Sequence, residues 1–159
     1  MYRIGHGIDV HQFCEGRPLV LGGIAIPHPK GLSGHSDADV VIHAVCDALL
    51  GAVGMPDIGH WFPSSDEQYR GISSMILLDR VVEMLHRDDW RVGNIDVTVL
   101  AQAPLLKPYH EKIRERLARH LGIEPLAVGF KATTTESLGF VGRQEGIEAH
   151  AVCLVAKAQ

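Results

Sequence analysis

Residues 34–53, GHSDADVVIHAVCDALLGAV, contain the element that decides the fold. Apolar side chains recur there at intervals of three and four positions, which predicts a helix over 37–53. Ser36 is the expected N-cap, and Gly54 and Pro56 are expected to end the helix. Few positions in the stretch are polar, so we expect the helix to be buried.

Strands and two further helices are predicted around this helix. The predicted strands cover 2–13, 18–26 (with a bulge at Gly22 and Gly23), 95–101, 128–132 and 147–157. The other predicted helices cover 73–87 and 109–121, and the predicted loops cover 28–34 and 55–72. This order lacks strict alternation of strands and helices, so we predict an α+β fold of two layers, with the helices on one face of a mixed β-sheet. No repeat divides the sequence, and we expect residues 1–159 to form a single domain.

Composition excludes a disordered, collagen-like or coiled-coil chain. The chain has 159 residues, of which 46% are hydrophobic and 21% charged, as in ordinary globular proteins. Its net charge of −4 gives no sign of a nucleic-acid partner or of an anionic membrane surface. We expect no signal peptide and no membrane span. Three cysteines without a CxxC pair predict free thiols, and therefore a reducing, cytoplasmic location.

Asp9 and His11 are the first candidate metal ligands. On a strand, residues two apart point to the same face, so these two side chains converge. A carboxylate oxygen and an imidazole nitrogen are normal ligands of zinc. Taken alone, the pair is also typical of an ion pair on an edge strand.

His43 lies on the predicted buried helix. A buried imidazole without a partner is costly, so His43 needs a hydrogen-bond acceptor or a metal ion. Together with Asp9 and His11 it gives three ligands and one open position, which is typical of catalytic zinc sites.

Other residues near this group leave alternatives open. Cys46 is a rival zinc ligand, and Asp39 and Asp47 are candidates to orient the ligand histidines. A zinc hydrolase would use a metal-activated water and a general base, a role open to Asp39 or His35.

Two further stretches have the chemistry of phosphate and base recognition. Lys131, Thr133–Thr135 and Glu136 offer a cation, hydroxyl and amide donors, and a carboxylate for a second, hard cation. Residues 101–104 end a strand, where free backbone groups suit a base edge. The loop at 55–72, which contains Asp57 and Asp66, is long enough to contact substrate.

Five motifs in this order resemble those of the 2-C-methyl-D-erythritol 2,4-cyclodiphosphate synthase family, of the non-mevalonate isoprenoid pathway. The motifs are GHGIDVH at 5–11, GHSDADV at 34–40, DIGHWFP at 57–63, DVTVLAQAP at 96–104 and KATTTESLGFVGR at 131–143. The resemblance implies cyclisation of a cytidine diphosphate ester, in which the 2-phosphate attacks the β-phosphorus and CMP leaves. It implies zinc on Asp9, His11 and His43, and Mg²⁺ or Mn²⁺ on Glu136 with the substrate diphosphate. His35 and Thr134 match the positions that stabilise the transition state.

The resemblance also implies a homotrimer with active sites between subunits. It implies substrate contacts from Ser36, Asp57, Ile58, Gly59, Phe62, Pro63, Ser64, Ser65, Asp66, Ala101, Gln102, Ala103, Pro104, Leu105, Leu106, Lys107, Lys131, Thr133, Thr135, Phe140 and Arg143. Of these, Phe140 and Arg143 match residues around a central trimer cavity that can hold an isoprenoid diphosphate.

Three positions depart from the family pattern. Leu105 stands where many members have a lysine, and the lysine comes two residues later, at Lys107. Ile8 and His150 replace a phenylalanine and a glutamate near the expected trimer axis. Besides the hydrolase, a non-catalytic isoprenoid-diphosphate-binding trimer is an alternative, and four closed metal ligands that include Cys46 would favour it.

Overall fold

A mixed β-sheet of five strands forms one layer of the structure, a computed structural model that describes residues 1–158. In chain order the strands are β1 (Tyr2–Cys14), β2 (Leu19–Leu21), β3 (Ile24–Ile26), β4 (Gly31–Leu32), β5 (Trp90–Leu100), β6 (Val128–Thr133) and β7 (Gly146–Lys157). The sheet has the order β4-β1-β7-β5-β6, in which only β5 and β6 run parallel, while β2 and β3 form a separate hairpin.

Helices form the second layer. They are α1 (Val40–Ala52), α2 (Ile58–Trp61), α3 (Ser74–Arg87), α4 (His110–Leu121) and α5 (Gly139–Gly142), with 3₁₀ turns at Glu67–Tyr69, Lys107–Tyr109 and Pro125–Ala127. Helix α1 packs on β1 and β7, α3 on β5, and α4 on β6. The prediction of an α+β fold with a mixed sheet is confirmed. Within residues 1–158, no helix is both long and apolar enough to cross a membrane.

Helix α1 lies directly on the backbone of β1. A Cβ atom on Gly5 would stand 1.8 Å from the carbonyl oxygen of Ala48, and one on Gly7 would stand 2.1 Å from that of Ala44. Only glycine allows this approach, because any side chain would displace the helix. The alternation of β1 places the side chains at positions 9 and 11 on this same face, next to α1.

Two predictions about the start of α1 are wrong. Ala38 has a φ of 57°, which interrupts the helical backbone, so α1 begins at Val40 and not at position 37. Its N-cap is Asp39, whose carboxylate accepts a hydrogen bond from the Ile42 amide at 3.2 Å, and not Ser36.

Other element boundaries also differ from prediction. The stretch 18–26 forms the β2–β3 hairpin and not one strand, because Gly22 and Gly23 have φ of 59° and 74° and turn the chain. The predicted loop at 28–34 contains β4, which pairs with β1, and the loop at 55–72 contains α2. Strand β5 begins five residues before position 95 and passes through an irregularity between Val92 and Asn94.

The sheet face opposite the helices carries apolar side chains without cover. Ile4 is 73% exposed, Ile8 49% and Val10 47%, and Val152 on the neighbouring β7 is 47% exposed. The inward positions of β7, such as Ala149 and Ala151, are buried. Apolar residues therefore lie on both faces of the sheet, and only one face is covered within the chain.

Candidate functional site

Asp9, His11 and His43 bring three ligand atoms together, as the sequence predicts. Asp9 Oδ2 lies 2.9 Å from His11 Nε2 and 3.1 Å from His43 Nδ1, and the two nitrogens are 3.1 Å apart. Strand β1 supplies the first two side chains and the buried helix α1 supplies the third. The three atoms form a nearly equilateral triangle with one open side, and the three residues form a group able to hold a metal ion.

The other nitrogen of His11 fixes the state of its ring. Nδ1 lies 2.7 Å from the carbonyl oxygen of Ser33, which can only accept, so Nδ1 carries the proton and donates it. In the neutral ring, Nε2 then presents its lone pair to Asp9 and His43. Three electron-pair donors facing one point favour a cation there, because without one they repel one another.

In the metal-free protein, Asp9 and His11 stabilise each other's charged forms. Burial by itself raises the pKa of Asp9, but hydrogen bonds and charge from His11 and His43 outweigh it and lower the pKa to about 2. Burial by itself lowers the pKa of His11, and the hydrogen bond and charge of Asp9 reverse that effect and raise it. The carboxylate thus remains ionised at neutral pH, ready to bind a metal ion.

A cavity of about 310 Å³ opens beside the ligand triangle. It is lined by His11, His35, Ser36, His43, Ile58, Gly59, Phe62, Pro63, Ser64, Ser65 and Leu77. The imidazole of His35 lies 3.0 Å from the backbone oxygen of Asp66, which joins the two loops at its rim. Asp57 caps α2 by accepting from the His60 amide at 3.2 Å. Two of the three candidate metal ligands, residues 35–36 and most of residues 57–66 therefore meet at one cavity.

Residues from the 96–104 and 131–143 motifs form a second cavity, of about 170 Å³. It is lined by Ala101, Gln102, Ala103, Pro104, Leu105, Leu106, Ala132, Thr133 and Thr134. The amide of Ser137 donates to Gln102 Oε1 at 3.2 Å and joins the two segments. Among residues 1–158, none lines both this cavity and the one beside the ligand triangle.

Polar side chains of β6 and of the segment after it hydrogen-bond within the chain. Thr134 Oγ1 donates to Glu136 Oε1 at 3.3 Å, and Glu136 has a φ of 52°. Glu136 is exposed and is not part of the metal-ligand group in residues 1–158. The ammonium of Lys131 donates to Asp96 Oδ1, and the hydroxyl of Thr135 donates to the Leu138 carbonyl at 2.6 Å.

Phe140, Arg143 and Lys107 lie outside both cavities. Phe140 lines a cavity of about 350 Å³ together with Val10, His11, Gln12, Glu145 and Gly146. The guanidinium of Arg143 donates to Glu145 Oε1 at 2.7 Å. Lys107 lines a further cavity of about 350 Å³ with Leu105, Leu106, His110, Phe130 and Ala132.

The structure contradicts the rival roles of three residues. Cys46 is fully buried, lies outside the ligand group and has a pKa raised by burial, so it is not a thiolate ligand. The buried carboxylate of Asp39 accepts from the amides of Gly22 at 2.9 Å and Gly23 at 2.7 Å, and neither orients a histidine nor reaches the cavity as a base. Asp47 accepts from the α2 backbone instead.

Ser74 is a site residue that sequence reasoning misses. Its hydroxyl lies 2.9 Å from His43 Nε2 and donates to Asp37, although it is far from both in sequence. Ser73 and Ser74 together look like an ordinary helix start, so no sequence signal separates their roles.

Comparison with known proteins gives consistent matches. The YgbB family profile matches residues 2–156. A protein of Syntrophomonas wolfei named 2-C-methyl-D-erythritol 2,4-cyclodiphosphate synthase is 58% identical, over 98% of this chain and 99% of its own.

Solved structures share the fold. One described as 2C-methyl-D-erythritol-2,4-cyclodiphosphate synthase, bound form CDP, is 34% identical with a TM-score of 0.89, over 97% of this chain and all of its own. The IspF (Plasmodium falciparum) CDP complex is 31% identical with a TM-score of 0.87, over 99% of this chain and 97% of its own.

Proposed function

The chain belongs to the YgbB family, and on that premise we propose how its residues carry out the reaction of its relatives. It converts 4-diphosphocytidyl-2-C-methyl-D-erythritol 2-phosphate to 2-C-methyl-D-erythritol 2,4-cyclodiphosphate and CMP, as a lyase of isoprenoid precursor biosynthesis. An oxygen of the 2-phosphate bonds to the β-phosphorus, and the bond from that phosphorus to the CMP oxygen breaks. No protein nucleophile is needed, so the residues position groups and neutralise charge.

The metal on Asp9, His11 and His43 is zinc. Zinc bonds of about 2.0–2.1 Å place tetrahedral ligand atoms about 3.3 Å apart. The three edges of the observed triangle, 2.9, 3.1 and 3.1 Å, are slightly shorter than this value, and two of the three residues that would hold the ion, His11 and His43, also line the cavity. This triangle is the observation that carries the proposal. When bound, the ion supplies Lewis-acid charge to a β-phosphate oxygen.

His35 and Ser36 act beside the metal ligands. Both line the same cavity as His11 and His43, and the Ser36 hydroxyl accepts only from the Ala38 amide and the His43 ring. Its own proton is therefore free for a phosphate oxygen. The His35 ring donates its Nε2–H to the Asp66 carbonyl at 3.0 Å, and when that N–H turns to a phosphate oxygen it acts with Ser36 to stabilise charge that builds up as phosphorus is attacked.

The nucleotide half of the substrate binds in the second cavity. Residues 101–106 and Thr133, which line this cavity, hold the cytidine largely through backbone groups, with Lys107 in the adjoining cavity. Thr134 donates to phosphate oxygens, and Thr135 contacts the substrate beside it. Glu136, beside Thr134, binds Mg²⁺ or Mn²⁺ with the diphosphate. Lys131 is held by Asp96 and adds positive charge nearby. The 57–66 segment contacts the methylerythritol part.

The enzyme is a homotrimer, each chain being a single cyclodiphosphate synthase domain with active sites between neighbours. Two features support this. The uncovered apolar face around Ile4 and Ile8 is best buried by further copies of the chain. Within residues 1–158 the metal cavity and the nucleotide cavity share no lining residue, which is the arrangement expected when neighbouring chains supply the two halves of one active site. Sedimentation equilibrium should give three times the chain mass, and a monomer would contradict the proposal.

The central cavity of the trimer takes an isoprenoid diphosphate. Phe140 and Val10 supply the apolar side chains of a mixed cavity at the end of the uncovered face, and Arg143 pairs with Glu145, which also lines it. A prenyl diphosphate should raise the midpoint of thermal unfolding, and no change would remove this proposal. The cytoplasmic location stays a prediction.

Phosphorus NMR of a reaction with zinc and magnesium tests the proposed chemistry. We expect the coupled doublets of a cyclic diphosphate to appear with CMP. His43→Ala should abolish turnover and lower zinc content, because one of three ligand atoms is lost. His86→Ala, at an exposed position at the end of α3, is the matched control and should behave as wild type. A linear diphosphate product would indicate the hydrolase instead, and full zinc content in His43→Ala would overturn the ligand assignment.

A further inference from the structure

A chain of hydrogen bonds runs from His43 away from the ligand triangle. His43 Nε2 lies 2.9 Å from the hydroxyl of Ser74, which is fully buried. That hydroxyl donates to Asp37 Oδ1, while the Ser74 backbone amide donates to Asp37 Oδ2 at 3.0 Å. Asp37 thus holds Ser74 from two directions.

Counting protons along these hydrogen bonds determines which nitrogen of the His43 ring carries the proton. An ionised carboxylate can only accept, so the single hydroxyl proton of Ser74 points to Asp37. The Ser74 oxygen is then an acceptor toward His43, and Nε2 must carry the proton that it receives. A neutral imidazole has one N–H, so Nδ1 is left with a lone pair. Nδ1 is the atom that faces Asp9 and His11.

We propose that Asp37 and Ser74 are positioning residues that hold His43 in the Nε2–H tautomer, with Nδ1 free to bind the metal. The inference rests on the proposed zinc site, since it concerns how one of that site's ligands is prepared. Groups of this kind, one bond beyond the ligands, typically change metal affinity about 10–100-fold when removed.

Ser36 sets the size of the expected effect. Its hydroxyl oxygen lies 3.3 Å from the same His43 nitrogen and accepts from the Ala38 amide at 3.1 Å. When Ser74 is truncated, this longer contact keeps part of the preference for Nε2–H. We therefore expect Ser74→Ala to weaken zinc binding at the lower end of that range, about 10-fold.

Asp37→Asn should act more strongly, because it reverses the direction of the chain. The Ser74 amide, which donates to Asp37 Oδ2 at 3.0 Å, competes for the single carboxamide oxygen with the Asp39 amide, which donates to Asp37 Oδ1 at 3.2 Å. The shorter bond takes the oxygen, so the carboxamide NH₂ faces the Ser74 hydroxyl and donates to it. The hydroxyl proton then turns toward His43 and favours the Nδ1–H tautomer. In that tautomer Nδ1, the atom that faces Asp9 and His11, has no lone pair for a metal. We expect a loss of zinc affinity approaching 100-fold.

The test combines zinc competition with a chromogenic chelator and ¹H–¹⁵N correlation of the histidine rings in metal-free protein at alkaline pH. Ser73→Ala is the matched control, because Ser73 is exposed and makes no side-chain capping bond at the start of α3. We expect wild type and Ser73→Ala to show His43 as Nε2–H, and Asp37→Asn to shift it to Nδ1–H. Circular dichroism verifies that each variant is folded.

Two results would overturn the inference: zinc affinity equal to wild type in Ser74→Ala, or an unchanged tautomer in folded Asp37→Asn. Failure of the wild type to bind zinc would instead overturn the zinc assignment. The tautomer spectra of the metal-free proteins would then decide this inference by themselves.

Discussion

Replacing Gly7 with alanine tests whether the close contact between α1 and β1 builds the metal site. A Cβ atom there would lie 2.1 Å from the carbonyl oxygen of Ala44 and 2.7 Å from the amide nitrogen of Ala48. Both are backbone atoms of α1, so no side chain can move aside. The helix itself must move away from the strand.

The size of that movement follows from the same distances. An ordinary contact is about 3.4 Å, so α1 must retreat by about 1.3 Å near Ala44. His43 is the preceding residue and moves with it, which stretches its 3.1 Å distance to Asp9 to about 4 Å. Zinc sites tolerate deviations of about 0.2 Å. Overpacking of this kind costs about 1–3 kcal/mol of folding free energy.

Urea unfolding in the presence of a chelator measures the loss of stability. Zinc competition measures the loss of zinc affinity separately. We expect Gly7→Ala to lower the free energy of unfolding by about 3 kcal/mol, at the upper end of that range, and to lose zinc affinity at least as strongly as loss of a ligand. Gly51→Ala is the matched control, because Gly51 lies on the same helix and an added Cβ would meet no atom of residues 1–158 within 4 Å beyond its chain neighbours and the backbone of its own helix. It should leave zinc binding intact and gain up to about 1 kcal/mol in stability. Wild-type zinc affinity in Gly7→Ala would refute the reasoning.

Three further substitutions probe the second cation, the ligand charges and the 34–36 segment. Glu136→Gln should raise the magnesium concentration needed for half-maximal activity, because a neutral amide binds a hard cation weakly; an unchanged requirement would remove the assignment. In metal-free protein, Asp9→Asn should lower the free energy of unfolding by about 2 kcal/mol between roughly pH 4 and 6.5. The difference in unfolding free energy should shrink as pH falls from 3.8 to about 2, because Asp9, whose pKa is lowered to about 2, becomes protonated there. It should also shrink as pH rises through the raised pKa of His11, because that ring then loses its charge. A difference independent of pH would contradict both pKa shifts. Arg17 donates to the two backbone carbonyls on either side of His35, so Arg17→Met should raise KM several-fold in steady-state assays with little change in unfolding free energy, and an unchanged KM would show that the segment needs no such support.

Residues close in sequence gave the most successful predictions. Asp9 and His11 share a face because a strand has a period of two, and that geometry holds in any fold. The apolar pattern of 37–53 likewise predicted a buried helix, which the structure shows at Val40–Ala52, because burial of such a stretch outweighs local preferences. The ends of elements were predicted less well, since Ala38 and the Gly22–Gly23 turn depend on backbone angles that no periodicity records.

The sequence by itself therefore determined most of the elements, the family motifs and the three residues of the candidate metal site. Only the tertiary structure decided how they meet. The absence of side chains at Gly5 and Gly7 lets α1 approach β1 until His43 reaches Asp9, and that distance is set by packing between segments far apart in the chain. The pairing of Ser74 with His43, and the exposure of the outer sheet face, arise in the same way. Local sequence specifies direction and periodicity, whereas contacts between distant segments depend on which surfaces fit together without a clash or an unpaired polar atom.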